Sequence, residues 1–404
     1  MDISRRHFLG SAAGAMVPLA GGVRVAFGQI AAPNILIVIF LRFGMDGLQL
    51  LAPADDPGYQ DKRGNIGVKP SGFNPGRPLG ILDGTQFFLH PQADQLRFMY
   101  ADKSLAFVHA VGAPTRLRSH FEVQELVDQG SADNEPTTSS GWLTRHLATR
   151  NSLNTAGSST RFIATSDSML ATSALRGAPG VIPANDLESF PISISPERAA
   201  LLAALSAGNS GVARSTRETL DVVDAIRARG RALPQETQLN YTYGLLSQKL
   251  QPLARVLKLD LGIEAATVDF GGWDHHDNLP MWFGIQVREL GDALFAFAND
   301  LGPLMQRVTI VAVTEFGRRV EENANMGTDH GAASVMMAMG AGVKGGRIYG
   351  QWPGLKEGDL DAGDLAVTTD YRQVLAEVLA KRQGQTDIAR IFPHISYKPL
   401  GLFT

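Results

Sequence analysis

The stretch FGGWDHHDN, residues 270–278, sets His275 and His276 between Asp274 and Asp277 in a chain with nine histidines in all. Carboxylate and imidazole together form a donor set for a borderline transition metal, whereas calcium draws on oxygen ligands alone. Groups of the same kind stand elsewhere: Asp46 in GMDG, Ser119 and His120 in RSHFE, Glu315 in TEFG, Asp329 and His330 in GTDHG. Such a set suits zinc, manganese or iron, as one ion or two. A metal held there would polarise an ester oxygen and activate a serine hydroxyl or a bound water. In a short D-x-H loop only alternate side chains turn inward. Asp274 and His276 are therefore the expected pair, with His275 behind them or at the surface.

These groups need a frame that brings them to one place. NILIVIFLR (34–42) is a continuous apolar run with β-branched residues, as expected of a strand buried on both faces. SLAFVHAVG (104–112), RFIATS (161–166), EAATVDF (264–270), RVTIVAVT (307–314) and the run at 332–339 read the same way, with GRIYGQW after them. Helical patterns separate them: 90–102, from about 120, the stretch GWLTRHLATR, the long 278–301 and a closing helix in TTDYRQVLAEVLAKR. Strands alternating with helices imply one large domain, 29–404, with a mostly parallel sheet covered on both faces. Residues 195 to about 258 read as a helical insertion, and the Gly- and Pro-rich 53–88 as an irregular surface excursion. In such sheets ligands bind beyond the carboxyl ends of the strands. Every polar group named above falls at that edge.

Composition narrows the class further. The chain has no cysteine, which excludes disulfides and thiolate metal sites and fits an oxidising compartment. A net charge of −3 offers no electrostatic reason to bind nucleic acid or an anionic lipid surface. SRRHFL followed by GSAAGAMVPLAGG reads as a twin-arginine export signal over residues 1–28, making the twin-arginine translocase a partner and the mature chain periplasmic or secreted. No membrane span is expected in the mature chain, since NILIVIFL is too short. GAGVKG (340–345) matches G-x-G-x-x-G but lies between two strands and opens no helix, so it is no nucleotide site.

Taken in order, GMDGLQLLAP, RSHFEVQE, GGWDHHDN, VTEFGRR, GTDHGAASVMMAMG and KGGRIYGQWPGL resemble the signatures of the DUF1501 family, from about residue 34 to 382. That family is a branch of the alkaline phosphatase and sulfatase superfamily. The resemblance implies an alkaline-phosphatase-like three-layer α/β/α sandwich and metal-assisted hydrolysis of phosphate or sulfate esters. On the matching positions, Asp46 would bind one metal, and Asp274 and His276, with His330, the other. Ser119 would be the nucleophile, at the N-terminus of the helix after the second strand. Glu315 falls where the superfamily has an Asp-His pair, and Phe316 stands where the imidazole would be. That departure supports an alternative: a non-catalytic envelope binding or assembly protein with a reduced metal site, its partner an envelope component rather than an anionic ester.

Each residue also has an ordinary reading. Ser119 and Glu122 form a capping box. Arg116 and Arg118, beside His120, either draw an anionic substrate or make a solvated basic loop. Asp46 before Gly47 suits a turn, and Asp277 suits a cap for the helix after it. His90 reads as a helix-start residue and His109 as a core histidine. A buried Glu315 requires a cation or Arg318 as partner. Asp329 and His330 would make a hydrogen-bonded loop pair.

Overall fold

Alternate residues of the first strand, β1 (Ile35–Leu41), enter two different cores. Ile35, Ile37, Ile39 and Leu41 pack into one, while Leu36, Val38 and Phe40 pack into the other. A strand with no polar face has to lie between two layers, which is why its sequence is an unbroken apolar run. The computed structural model describes residues 34–404, except residue 137, parts of 153–195, parts of 209–240, and 261–262. The expected export signal, with Arg5 and Arg6, lies outside the described residues.

Beyond β1, the strands in chain order are β2 (Leu51–Ala52), β3 (Arg77–Leu82), β4 (Thr85–Leu89), β5 (Leu105–Gly112) and β6 (Ile163–Ser166). They continue with β7 (Val181–Pro183), β8 (Ile263–Phe270), β9 (Val308–Val313), β10 (Ser334–Gly340) and β11 (Ile348–Tyr349). The large sheet runs β11-β5-β10-β9-β1-β8-β6-β7. Every pair along it is parallel except those of β10, which runs antiparallel to both β5 and β9. The carboxyl ends of β1, β5, β8 and β9 therefore share an edge with the beginning of β10. Residues just before β10 reach the same place as residues just after the others.

The helices used below are α1 (Gly47–Leu50), α2 (Pro57–Lys62), α3 (Asp94–Ala101), α4 (His120–Gln129), α5 (Trp142–Ser152), α6 (Pro196–Leu205), α7 (Leu245–Lys258), α8 (Leu279–Leu301) and α9 (Tyr371–Arg382). One face of the sheet is covered by α3, α7 and α8, through Leu96, Leu250, Leu253, Phe283, Leu290 and Phe297. The other is covered by α4, α5 and α9, through Val123, Val127, Trp142, Leu147, Val374 and Leu375. This is the expected three-layer α/β/α sandwich with a mostly parallel sheet. None of the helices among the described residues is long and apolar enough to cross a membrane.

Two segments differ from the sequence reading. Residues 53–88 are not irregular throughout: Pro57 opens α2 behind the N-cap Asp56, and β3 and β4 form a hairpin with β2 paired to β4. The hairpin turn is Asp83–Gly84, both with positive φ (49° and 82°), which is the chemistry an Asp-Gly turn supplies. The surrounding glycines and prolines hid that signal. At the end of the expected insertion, α7 is a layer helix, its Leu246, Leu250, Leu253 and Leu257 all in the core. Of the rest of 195–258, α6 is described and much of the remainder lies outside the described residues.

Candidate metal centre

Beyond the shared edge, four segments deliver side chains to one spot. The loop after β5 ends at α4 and supplies His120, while the loop after β8 supplies Asp274 and His276. Glu315 and Arg318 follow β9, and Asp329 and His330 precede β10. Two glycines let these loops touch. A Cβ on Gly317 would sit 1.8 Å from the Ala333 carbonyl oxygen, and one on Gly327 would sit 2.2 Å from the carbonyl of His276. The glycines of EFG and of MGTDHG are thus required by backbone contact.

Ligand atoms of His120, Asp274 and His330 lie within 4.8 Å of one another. Asp274 Oδ1 is the hub, 3.4 Å from His120 Nε2, 2.9 Å from His276 Nε2 and 3.3 Å from His330 Nε2. The Nε2 atoms of His276 and His330 are 3.0 Å apart. Metal–nitrogen bonds of 2.0–2.1 Å give a tetrahedral site ligand–ligand edges of about 3.3 Å. The observed spacings are of that size.

The opposite nitrogen of each ring is already committed. His120 Nδ1 donates to Glu315 Oε1 at 2.8 Å, His276 Nδ1 to Asp329 Oδ1 at 3.0 Å, and His330 Nδ1 to the Arg118 carbonyl at 2.7 Å. Imidazoles so oriented present bare Nε2 lone pairs, as metal-ligating histidines do. Arg318 offsets the Asp274 charge from one side, at 2.5 Å, and a metal ion among the ring nitrogens would offset the repulsion between their lone pairs. His120 Nε2 is in addition buried with no hydrogen-bond donor of its own. The residues fit a metal ion of the zinc, manganese or iron kind.

Charge around the centre follows from its neighbours. Burial alone would raise the Asp274 carboxyl, but the hydrogen bond and charge of Arg318, helped by His276 and His120, bring it down to about 2. Glu315 is fully buried and burial raises it, yet hydrogen bonds from His120 and Gln124 hold it below its ordinary value. It also accepts from the Phe43 amide at 2.8 Å. Burial lowers the His330 ring, with the Arg118 carbonyl opposing and the charges of Arg318 and His120 adding to it. The ring therefore stays neutral to lower pH than a free histidine.

Several expected residues lie elsewhere or act differently. Asp46 is buried in an ion pair: Arg63 Nη1 stands 2.8 Å from Oδ2 and 3.0 Å from Oδ1, and the Gln49 amide and Thr328 hydroxyl take up more of its capacity. It caps α1, as its turn-residue reading suggested. Glu315 is paired with His120 rather than with Arg318. Arg118 directs its guanidinium to Asp364, at 2.7 Å, and only its carbonyl faces the centre. Ser119 occupies the N-cap of α4, but its side chain makes no cap hydrogen bond, so the expected capping box is absent. His275 turns away from the ligands, as alternation requires, into a buried pocket against Trp273 and Phe283, where burial lowers its pKa to about 4. The cap of α8 is Asn278, not Asp277. His109 is a core residue, its ring bonded to the Leu51 carbonyl. His90 is buried against Phe283 and accepts from the Gln92 amide just ahead of α3. Asp329 pairs with His276 rather than with its neighbour His330. Phe316 is buried, with its ring stacked on His120 at 4.8 Å.

Sequence reading missed Arg63 altogether. It closes α2 inside the segment read as surface excursion, and nothing in QDKRGN marks one basic residue of two as fully buried. The partnership of Asp329 with His276 was equally invisible, because it joins two loops.

Comparison with solved structures finds likeness at low identity. The C-terminal periplasmic domain of EcEptC from Escherichia coli is similar with a TM-score of 0.38 and 8% identity, over 91% of this chain and 88% of that one. The lipoteichoic acid synthase LtaP from Listeria monocytogenes gives 0.34 and 8%, over 84% and 75%. Alkaline phosphatase from the Antarctic bacterium TAB5 gives 0.33 and 11%, over 78% and 95%. No curated protein matches the sequence. The family described as "Protein of unknown function (DUF1501)" matches residues 105–394. That span contains each of the four residues converging on the centre, together with Glu315, Arg318 and Asp329, and it leaves out Asp46 and Arg63. By that match the chain belongs to the DUF1501 family.

Proposed function

We propose that this protein is an exported, metal-assisted hydrolase of phosphate or sulfate esters. One observation carries the reading: three imidazole Nε2 atoms converge on Asp274 Oδ1 while the opposite nitrogen of each ring is held by a fixed acceptor. A divalent zinc, manganese or iron ion bound there would polarise the ester and stabilise charge on the departing oxygen. The chain's own groups do the rest. Arg318 keeps a permanent positive charge against Asp274. The N-terminus of α4 opens at His120 behind the N-cap Ser119, a setting that favours an anion. Ser119 carries a hydroxyl that no cap bond occupies, next in sequence to a converging ring. It is the nucleophile in this reading, with water as the substitute. Asp274 is 40% exposed in its side chain, so a substrate can reach the centre. The N-terminal SRRHFL and the lack of cysteine support export by the twin-arginine translocase to the periplasm or beyond.

A second reading, a metal-holding envelope protein without turnover, is favoured by two observations. Phe316 covers one face of His120, and the Arg118 guanidinium is committed to Asp364 instead of an anion. The experiment that separates the two readings uses protein loaded with zinc or manganese and a panel of aryl phosphate and sulfate esters. Turnover by wild type is expected. Ser119→Ala should abolish most of it while stability changes by no more than about 0.5 kcal/mol, since there is no cap bond to lose. No turnover of any ester by the loaded wild-type protein would replace the hydrolase with the binding protein.

A further inference from the structure

We infer that the centre takes a single metal ion, and that two buried arginines, Arg63 and Arg318, permanently supply the positive charge a second ion would bring. The inference rests on the metal-centre reading above and contradicts the two-ion arrangement that the sequence resemblance allows.

A second ion needs carboxylate or imidazole atoms with lone pairs to spare. At this edge of the sheet the two fully buried carboxylates are already engaged, and the less occupied oxygen, Glu315 Oε2, accepts from the Thr314 hydroxyl at 3.2 Å. Both oxygens of Asp46 accept from Arg63, and the Gln49 amide and the Thr328 hydroxyl take one more bond each. Glu315 Oε1 accepts from His120, Gln124 and the Phe43 amide, each at 2.8 Å. The position beside Glu315 that would offer an imidazole holds Phe316.

The cationic side chains are as fully built in as any ion. Arg63 is wholly buried and donates to the Val320 carbonyl at 2.8 Å and the Arg319 carbonyl at 2.6 Å besides Asp46. Arg318 donates to the carbonyls of Gly44, Phe43, Thr328 and Trp273 and, at 2.5 Å, to Asp274 Oδ1. Its Nη1 also comes within 3.4 Å of His276 Nε2. A second dication brought between Arg318 and the converging rings would meet the guanidinium charge at contact distance. The same fork holds Asp274 Oδ1 at the hub for the first ion.

The test is stoichiometry. The full chain, stripped with chelator and dialysed against zinc or manganese, should retain one ion per chain by elemental analysis and give a one-site isotherm on titration with the metal alone. The double variant Asp46→Asn/Arg63→Gln, which removes the ion pair but keeps polar groups of similar size, should still bind one ion, within about twofold of the wild-type affinity. A second ion of comparable affinity in the wild type overturns the inference and leaves the metal centre standing. So does loss of the ion in the double variant with the fold intact, because Asp46 would then be a ligand. No ion in the wild type removes both the inference and the reading beneath it. The wild-type measurement needs no variant to fold.

Discussion

Asp46 and Asp274 follow neighbouring strands at the same edge of the sheet, yet their surroundings are opposite. Asp46 is fully buried and saturated by a guanidinium, an amide and a hydroxyl. Asp274 is partly open to solvent, accepts from Arg318 at 2.5 Å and lies within 3.4 Å of three ring nitrogens. The first arrangement is complete as it stands and leaves nothing for a ligand to do. The second keeps an exposed side and ring nitrogens beside it, where a ligand could bind. A carboxylate's role at this edge is set by how fully its neighbours occupy and cover it, not by its place after a strand.

The comparison breaks most sharply on the Asp274 side. His276→Ala and His330→Ala each remove a converging ring and should lower metal affinity by more than the roughly 10–100-fold that an outer hydrogen-bond partner is worth. Glu315→Gln, which alters the partner behind His120, should fall within that range. His275→Ala should keep the ion, since its ring lies in the pocket with Trp273 and Phe283. Titration with zinc, read by calorimetry, checks all four; equal affinities for His275→Ala and His276→Ala would dissolve the distinction between the neighbouring histidines.

On the Asp46 side the expected change is in stability. Arg63→Met leaves a buried carboxylate uncompensated and should cost about 3–5 kcal/mol in urea unfolding, with metal content per folded molecule unchanged. Replacing both partners by apolar residues, Asp46→Leu with Arg63→Met, should recover part of that loss. If Arg63→Met instead releases the ion at undiminished stability, the two carboxylates have been assigned the wrong way round.

The smallest effect belongs to histidines outside the centre. Burial lowers both His90 and His109 to about 4. Unfolded, each ring titrates near its ordinary value of about 6.5. Between those values the unfolded chain binds more protons, so stability is full above the unfolded pKa and declines as pH falls toward 4. Urea midpoints should drop between pH 7 and pH 4.5, and by less in His109→Gln. A midpoint independent of pH over that window would mean that neither ring is held neutral by burial.

Much of the frame was legible because it depends on local pattern. A short apolar run rich in β-branched residues suits a strand between two layers, and strands alternating with amphipathic helices suit a sheet covered on both sides. The D-x-H alternation separated His276 from His275 for the same reason, since neighbouring side chains in a short loop diverge. The glycines of EFG and MGTDHG also stand in the sequence, although the contacts that require them do not.

What tertiary structure alone decided is the pairing of charges. Asp46, Asp274 and Glu315 look alike in sequence, each near the end of an apolar run, and the resemblance assigned all three to metal. Their roles differ because Arg63, Arg318 and His120 arrive from other segments, separated from their partners by 17, 44 and 195 residues. How fully a carboxylate is occupied and covered depends on which loops the sheet order brings together. That order is a property of the packed layers, and no local pattern encodes it.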